Sequence, residues 1–145
     1  MSMDKARTNG INTSKQQILL LDDDPVSNFI HKKMLQKIGY SEIIECKNGL
    51  KALTLIESLQ SAVIILDLNM PEIDGIRFIR ELSSRNFQGG LILVSGESES
   101  ILQTCSTLAS SHKIKVLGYS QKPISEQLLK TLLDNWIVNE NTSTC

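Results

Sequence analysis

The sequence predicts a doubly wound α/β fold in which five parallel strands alternate with five helices, a (βα)5 arrangement. Short aliphatic runs, nearly free of polar residues, are typical of strands that are buried on both faces. Between these runs lie segments whose apolar residues recur at helical spacing. Strands that are separated by helices form a parallel sheet with right-handed crossovers, and this alternation therefore indicates the fold class.

The five predicted strands are short and rich in Ile, Leu and Val. They lie at residues 18–21, 43–45, 62–66, 91–94 and 116–117. Aromatic residues make up only 4% of the chain, so we expect the core to consist mainly of aliphatic side chains.

The first predicted helix follows the first strand directly. Asp24 is a suitable N-cap, Pro25 suits the first helical position, and Gly39 is a suitable end. The apolar residues at helical spacing, which we expect to face the core, are Val26, Phe29, Ile30, Leu35 and Ile38.

Four further helices are predicted by the same spacing. The second covers residues 50–59, the third starts near Gly75, the fourth falls within residues 99–111, and the last begins after Pro123 and Ser125. Their expected buried residues are Ala52, Leu53, Ile56, Ile76, Ile79, Leu82, Ile101, Leu102, Cys105, Leu108, Leu128, Leu129, Leu132, Leu133 and Trp136. His31 and His112 lie in helical patterns and are interpreted as surface or packing residues rather than metal ligands.

Length and composition indicate one globular domain. The chain has 145 residues, 41% hydrophobic and 21% charged, which is enough for one core. We expect a flexible N-terminal tail at residues 1–16, the folded domain at 17–139, and a C-terminal tail at 140–145. The net charge is −1, so no broad basic surface is available, and neither nucleic acid nor a membrane is an expected partner.

The remaining composition favours a cytoplasmic protein. No segment approaches the roughly 18 apolar residues that could span a bilayer, and the polar N-terminus does not resemble a signal peptide. Cys46, Cys105 and Cys145 are sparse and odd in number, which favours free thiols over disulfides or a zinc site.

Polar residues follow four of the predicted strands, at the ends where sites form in doubly wound folds. Strand one is followed by three aspartates at residues 22–24, strand three by Asp67, strand four by Ser95, and strand five by Lys122. Clustered carboxylates repel one another, and a hard cation such as Mg²⁺ relieves that repulsion. An ionised carboxylate beside such a cation can accept a phosphoryl group, whose oxygens a lysine and a hydroxyl can bind.

Because these residues occur in this order along the chain, the sequence resembles the response-regulator receiver domains of two-component signalling, whose fold is flavodoxin-like. The four matching motifs are residues 20–25, residues 65–71 with their continuation at 74–75, residues 93–96 and residues 118–123. Each motif alone is weak, but four of them in the right order at predicted strand ends are a strong signal. The resemblance covers residues 17–138.

The resemblance implies a Mg²⁺ (or Mn²⁺) site at the strand ends. It implies Asp67 as the phosphoacceptor, and Asp23 and Asp67 as direct ligands of the cation. The backbone carbonyl of Asn69 would be the third protein ligand, and Asp22 would act through a water molecule.

The resemblance also implies how the phosphoryl group is bound and read. Lys122 and Ser95 would contact its oxygens, and Tyr119 would be the aromatic switch whose ring turns inward when Ser95 is drawn to the phosphoryl group. Asn69 and Glu97 occupy the positions that tune the lifetime of the aspartyl phosphate in the family. The alternative for Tyr119 is a half-buried aromatic at a strand end, and the switch role is only slightly favoured over it.

The sequence departs from the usual receiver pattern in a few places. Ser95 replaces the more frequent Thr, Gly96 replaces a small Ala, and Ile124 stands where Phe is common. Lys122 follows Ser95 by 27 positions, about a helical turn more than in the commonest receivers. Residues 91–97 and the region up to residue 118 look similar to receivers fused to EAL-type cyclic di-GMP phosphodiesterases.

The resemblance predicts a phosphoacceptor switch rather than an enzyme, with only self-phosphorylation from a donor and slow autodephosphorylation. A sensor histidine kinase, a phosphotransfer protein or a small phosphodonor would phosphorylate Asp67. The signal would pass through the face formed by the fourth helix, the fifth strand and the fifth helix to an output protein or domain. A second copy of the chain is one candidate partner.

Two alternatives stay open. The chain could be the N-terminal receiver fragment that regulates a fused cyclic di-GMP phosphodiesterase. More distantly, it could be a phosphohydrolase of haloacid-dehalogenase type, although that chemistry requires an Asp where this chain has Asn69. A receiver without phosphorylation is disfavoured by the intact set of acceptor, acidic, serine and lysine residues. A dinucleotide-binding domain is disfavoured because no Gly-x-Gly-x-x-Gly follows the first strand.

Overall fold

A computed structural model describes residues 15–70 and 73–143, the last three by their backbone alone. The described strands form one five-stranded sheet with all neighbours parallel, in the order β2-β1-β3-β4-β5. The strands are β1 (Gln17–Leu21), β2 (Glu42–Cys46), β3 (Val63–Leu66), β4 (Gly90–Ser95) and β5 (Lys115–Gln121). The predicted doubly wound (βα)5 fold is therefore confirmed.

A helix follows each strand. The helices are α1 (Pro25–Lys37), α2 (Gly49–Leu55), α3 (Gly75–Ser84), α4 (Glu99–Ser111) and α5 (Glu126–Ser143). The second helix ends earlier than predicted and continues as a 3-10 turn, Ile56–Ser58. The side chains of the N-cap residues Asp24, Asn48, Asp74 and Ser98 accept hydrogen bonds from backbone N–H groups of the helices that they precede. Polar residues thus end the strands and start the helices at one edge of the sheet.

The core consists of two apolar layers, one on each face of the sheet. Alternate residues of β1 point to opposite faces, so Leu19 and Leu21 lie in one layer and Ile18 and Leu20 in the other. Helices α2, α3 and α4 pack on the first layer, while α1 and α5 pack on the second. β3 is apolar at every position, and β1 and β4 are apolar between their ends, because both faces of these central strands are covered.

The last strand is longer than the two residues that the sequence predicts. β5 lies at the edge of the sheet, and most of its seven residues are only partly buried. A half-exposed strand alternates polar and apolar residues and does not give the continuous aliphatic run that marks a central strand.

The predicted inward face of α1 is wrong. Val26, Phe29 and Ile30 are exposed, with 63%, 60% and 43% of their surface accessible. Of the predicted set only Leu35 is buried and Ile38 is partly buried; the other buried positions are polar, namely Ser27, Asn28 and His31. The physical reason is that the start of α1 lies beside Asp22, whose polar atoms need hydrogen-bond partners.

Two other helices differ in single positions. Ile76 in α3 and Ile101 in α4 are exposed, whereas Phe78 is fully buried. Leu108, Leu128 and Leu132 are partly buried, and the remaining residues of the predicted core are buried. The spacing of apolar residues locates the buried face of a helix only to within about one residue, because neighbouring residues differ by about 100° around the helix axis.

The chain ends carry more structure than the predicted tails. Gln16 donates from Nε2 to the carbonyl of Ser61, and its Oε1 accepts from the indole of Trp136 at 3.1 Å. α5 runs to Ser143, beyond residue 139. The predicted tail segments 1–14 and 144–145 lie outside the described residues. No helix in the described part of the chain is long and apolar enough to cross a membrane.

Candidate functional site

The predicted site residues meet at the carboxyl edge of the sheet. Asp22 and Asp67 come directly after β1 and β3, Ser95 is the last residue of β4, and Lys122 comes directly after β5. Because β1, β3, β4 and β5 are consecutive neighbours in the sheet, these four residues lie in adjacent positions. Sequence positions 100 residues apart are thereby brought into contact.

Three carboxylates form the acidic part of the site. One carboxylate oxygen from each of Asp22, Asp23 and Asp67 lies within 4.8 Å of the others. Asp22 and Asp67 are buried, and Asp23 is exposed. This donor set contains only oxygen atoms and concentrates negative charge, which fits a hard divalent cation such as Mg²⁺. The three carboxylates of the predicted ligand set are therefore adjacent in space.

Lys122 is the positive charge of the site. Its Nζ donates to Asp22 Oδ2 at 2.6 Å and lies 3.3 Å from Asp67 Oδ2. Its backbone N–H donates to the carbonyl of Ser95 at 2.8 Å, and the Lys122–Pro123 peptide bond is cis. The lysine is thus fixed to β4 through its backbone and to two carboxylates through its side chain.

The two buried carboxylates have opposite pKa shifts. Burial raises the pKa of Asp67, and the charge of Asp22 acts in the same direction, against the N–H of Asn69 and the charge of Lys122. Burial also tends to raise the pKa of Asp22, but hydrogen bonds from Lys122, Asp24 and Ser27 hold it below its usual value. Asp22 is therefore the firmly ionised member, and Asp67 is easier to protonate in the absence of a cation.

Asp22 is also held through its backbone. Its N–H donates to the carbonyl of Cys46, and its carbonyl accepts from Asn28 Nδ2 at 2.9 Å. Its Oδ1 accepts from the N–H of Asp24 at 2.9 Å. Asn28 is not among the predicted site residues, because one Asn within a helical pattern carries no distinctive signal.

The family follows from these elements and their order. Residues 18–134 match the sequence family described as the response regulator receiver domain. The chain belongs to this family. The resemblance noted in the sequence is thus confirmed over most of the chain.

Relatives of this receiver domain include proteins of very different lengths. The chemotaxis protein CheY1 of Helicobacter pylori is 26% identical over 121 residues, which cover 81% of this chain and 94% of that protein. The positive alginate biosynthesis regulatory protein of Pseudomonas aeruginosa is 28% identical over 118 residues, or 79% of this chain. The match spans only 45% of the alginate regulator, so most of that protein has no counterpart in the matched region.

A solved structure supports the same assignment. A response regulator from Colwellia psychrerythraea is 31% identical, with a TM-score of 0.72, and the match covers 84% of this chain and 96% of that one. Receiver domains bind Mg²⁺ at an acidic pocket, and they act as signalling switches rather than enzymes. They interact with histidine kinases or phosphotransfer proteins and with output domains.

The residues predicted to bind and read the phosphoryl group include Ser95 at the end of β4 and Tyr119 within β5. Ser95 is fully buried, and its Oγ accepts from the N–H of Glu97 at 3.3 Å. The carbonyl of Glu97 accepts from Gln121 Nε2 at 3.0 Å, so the loop after β4 is tied to the end of β5. Tyr119 is partly buried against the apolar layer under α2, α3 and α4.

The two predicted lifetime-tuning residues lie in the loops that follow β3 and β4. Asn69 is exposed, and its backbone N–H donates to Asp67 Oδ1 at 3.2 Å. Glu97 is partly buried. Both residues lie in loops that follow strands of the candidate site, and their role in the phosphoryl lifetime stays a prediction.

Proposed function

We propose that this receiver domain is the phosphoacceptor switch of a two-component phosphorelay and that Asp67 takes the phosphoryl group in a Mg²⁺-dependent reaction. The observation that carries this proposal is the contact of Asp67 with Lys122 beside the clustered carboxylates of Asp22 and Asp23. A nucleophilic carboxylate, an acidic cation site and a lysine are the groups that phosphoryl transfer to aspartate requires.

The cation would be held by Asp23 and Asp67, by the backbone carbonyl of Asn69, and by Asp22 through a water molecule. Mn²⁺ has similar ligand preferences and is an alternative. When bound, the cation supplies positive charge that offsets the repulsion among the carboxylates and favours the ionised form of Asp67. This matters because burial raises the pKa of Asp67.

The transfer step uses the carboxylate of Asp67 as the nucleophile. A bond forms between its Oδ and phosphorus, while the bond from phosphorus to the donor breaks: P–N in a phosphohistidine or P–O in acetyl phosphate. The donor leaves with that electron pair. Lys122 Nζ is already 3.3 Å from Asp67 Oδ2, so it would be in reach of an oxygen of the transferred group. The buried hydroxyl of Ser95 would donate to another oxygen.

The signal would arise from the new charge on Asp67. Turning the Ser95 hydroxyl towards the phosphoryl group would change its contact with Glu97, and Tyr119 would move into the space beside it. This would bias a two-state equilibrium of the face formed by α4, β5 and α5. Asn69 and Glu97 would set how fast water removes the phosphoryl group.

The output would be a separate protein or a domain on the same chain. The match to less than half of the alginate regulator is consistent with receiver domains acting on fused output domains. The resemblance of residues 91–97 to receivers of EAL-type proteins makes a cyclic di-GMP phosphodiesterase the alternative output.

Intact-mass spectrometry tests the proposal. The purified chain is incubated with acetyl phosphate and Mg²⁺, and we expect the mass increase of one phosphoryl group. Asp67→Asn and removal of Mg²⁺ by chelation should each abolish it. Asp74→Asn is the matched control, because Asp74 is an exposed cap of α3 and asparagine can also accept the hydrogen bond from Arg77. An unmodified wild-type protein under these conditions would overturn the proposal.

A further inference from the structure

Helix α1 presents the reverse of the usual amphipathic pattern at its start. Ser27, Asn28 and His31 are buried, while the neighbouring apolar residues of the same turns face solvent. Burying polar groups costs free energy unless they form hydrogen bonds. The inner surface of these turns must therefore have a role other than filling the core.

The inner surface of the first turn is directed at Asp22. Ser27 forms a hydrogen bond that lowers the pKa of the Asp22 carboxyl. Asn28 is fully buried, and its Nδ2 donates to the backbone carbonyl of Asp22 at 2.9 Å. Because a carbonyl oxygen can only accept, the orientation of this amide is fixed by its partner.

Asn28 closes the loop that presents the acidic pair. Its side chain binds the carbonyl of Asp22, and its backbone N–H donates to the carbonyl of Asp24 at 3.1 Å. Asp23 lies between these two anchor points. The bonds of one residue thus restrain the backbone on both sides of an exposed carboxylate.

The carbonyl oxygen of the Asn28 side-chain amide accepts no hydrogen bond from the described residues. This oxygen, Oδ1, is buried. An unsatisfied buried acceptor destabilises a fold, and an apolar side chain of the same shape would remove that penalty. Fold stability alone therefore does not account for an asparagine at this position, whereas its bond to Asp22 does.

We infer that Asn28 is a positioning residue for the divalent-cation site, holding the loop in the conformation in which Asp23 binds the ion directly and Asp22 binds it through water. The inference rests on the proposed function. Without the amide, the backbone at Asp22 and Asp23 would have to be ordered when the ion binds, and the affinity would fall. Loss of a residue that orients metal ligands lowers metal affinity about tenfold or more.

Calorimetric titration with Mg²⁺ tests this inference on four proteins: wild type, Asn28→Leu, Asn28→Ala and Leu35→Ala. We expect the dissociation constant to rise about tenfold in both Asn28 variants. Leu35→Ala is the matched control, because Leu35 is a fully buried residue of the same helix. It should lower the midpoint of urea unfolding and leave the dissociation constant within about twofold of wild type.

A kinetic readout separates positioning from chemistry. In Asn28→Leu the rate of phosphorylation by acetyl phosphate should fall at low Mg²⁺ and return to within about twofold of wild type at saturating Mg²⁺. A dissociation constant close to wild type in both Asn28 variants would overturn the inference. So would an equal loss of affinity in Leu35→Ala, or a rate that stays low at saturation.

Asp23→Asn distinguishes this inference from the proposed function. If wild type binds Mg²⁺ and Asp23→Asn does not, the proposed cation site stands whatever the Asn28 variants show. If wild type binds no Mg²⁺, the proposed function and the role of Asn28 are both wrong.

Discussion

Lys122 is paired most closely with Asp22, whose Oδ2 lies 2.6 Å from its Nζ. The distance from the same Nζ to the proposed phosphoacceptor, Asp67, is longer at 3.3 Å. The lysine is thus first the counter-charge of Asp22, one of the carboxylates of the proposed cation site. Although burial opposes it, the hydrogen bond to Asp22 and the charge of Asp67 raise the pKa of Lys122.

Replacing this lysine should destabilise the metal-free protein. In Lys122→Gln two buried carboxylates lose their counter-charge. Because Lys122 is partly exposed and glutamine can still donate a hydrogen bond, we expect the free energy of unfolding to fall by about 1–3 kcal/mol at neutral pH. Urea unfolding measures it, and Mg²⁺ should recover part of the loss because it neutralises the same carboxylates. Lys130→Gln breaks the exposed pair with Asp134 in α5 and should cost less than about 0.5 kcal/mol. Equal losses in the two variants would contradict the prediction.

The buried His31 should make stability fall as the pH drops. Burial lowers the pKa of His31, and the charge of Lys122 adds to this effect, whereas Asp22 opposes it. The unfolded chain has an ordinary histidine pKa of about 6.5, so between that value and the folded pKa it binds more protons than the folded state. The contribution of the neutral His31 to the free energy of unfolding is therefore fully present above about pH 6.5. It is lost as the pH falls through the pKa that His31 has in the folded state.

The His31 prediction is tested by urea unfolding between pH 7.5 and 5.5. In His31→Gln the free energy of unfolding should fall less with decreasing pH, because this residue no longer takes up a proton on unfolding. The control His112→Gln retains His31 and should keep the pH-dependent loss of stability that His31 causes. A difference between wild type and His31→Gln that does not change with pH would contradict the assignment.

The site was predictable from sequence because of the sheet topology. The central strand β3 is apolar at every position, so the polar residue that follows, Asp67, stands out. Parallel strands bring their carboxyl ends to one edge, and this places Asp22, Ser95 and Lys122 beside it. The convergence of residues far apart in the chain thus follows from the fold class alone.

Other features could not be predicted, because they depend on local three-dimensional contacts. Apolar spacing places Val26 and Phe29 inward, but the neighbouring polar residues are inward because Asp22 lies beside them. Whether Lys122 Nζ lies closer to Asp22 or to Asp67 depends on distances of a few ångströms. The sequence predicts only two of the seven residues of β5, because an edge strand is not uniformly apolar.

Gly96 should tolerate a side chain, although it follows Ser95 directly. A Cβ atom at this position meets no other atom within 4 Å, and among the described glycines only Gly39 has a left-handed φ. Gly96→Ala should raise the free energy of unfolding by about 0.4–1 kcal/mol, because alanine restricts the unfolded chain more than glycine does. In Gly89→Ala, by contrast, the Cβ would overlap the backbone oxygen of Ala62, and we expect a loss of about 1–3 kcal/mol. Urea unfolding compares them, and destabilisation by Gly96→Ala would show that its loop is more crowded than described.

The exposed position of Phe29 leads to a test of the corrected face of α1. Its ring is 60% accessible, and its described neighbour is Lys33, whose Nζ lies 5.5 Å from the ring centroid. Losing such an exposed cation–π contact costs about 0.5–1 kcal/mol, so Phe29→Ala should change the free energy of unfolding by no more than that. The same substitution at the fully buried Phe78 of α3 should cost about 3–5 kcal/mol. If urea unfolding showed similar losses for the two, Phe29 would have to lie inward, and the inner position that the structure gives to Asn28 would be wrong as well.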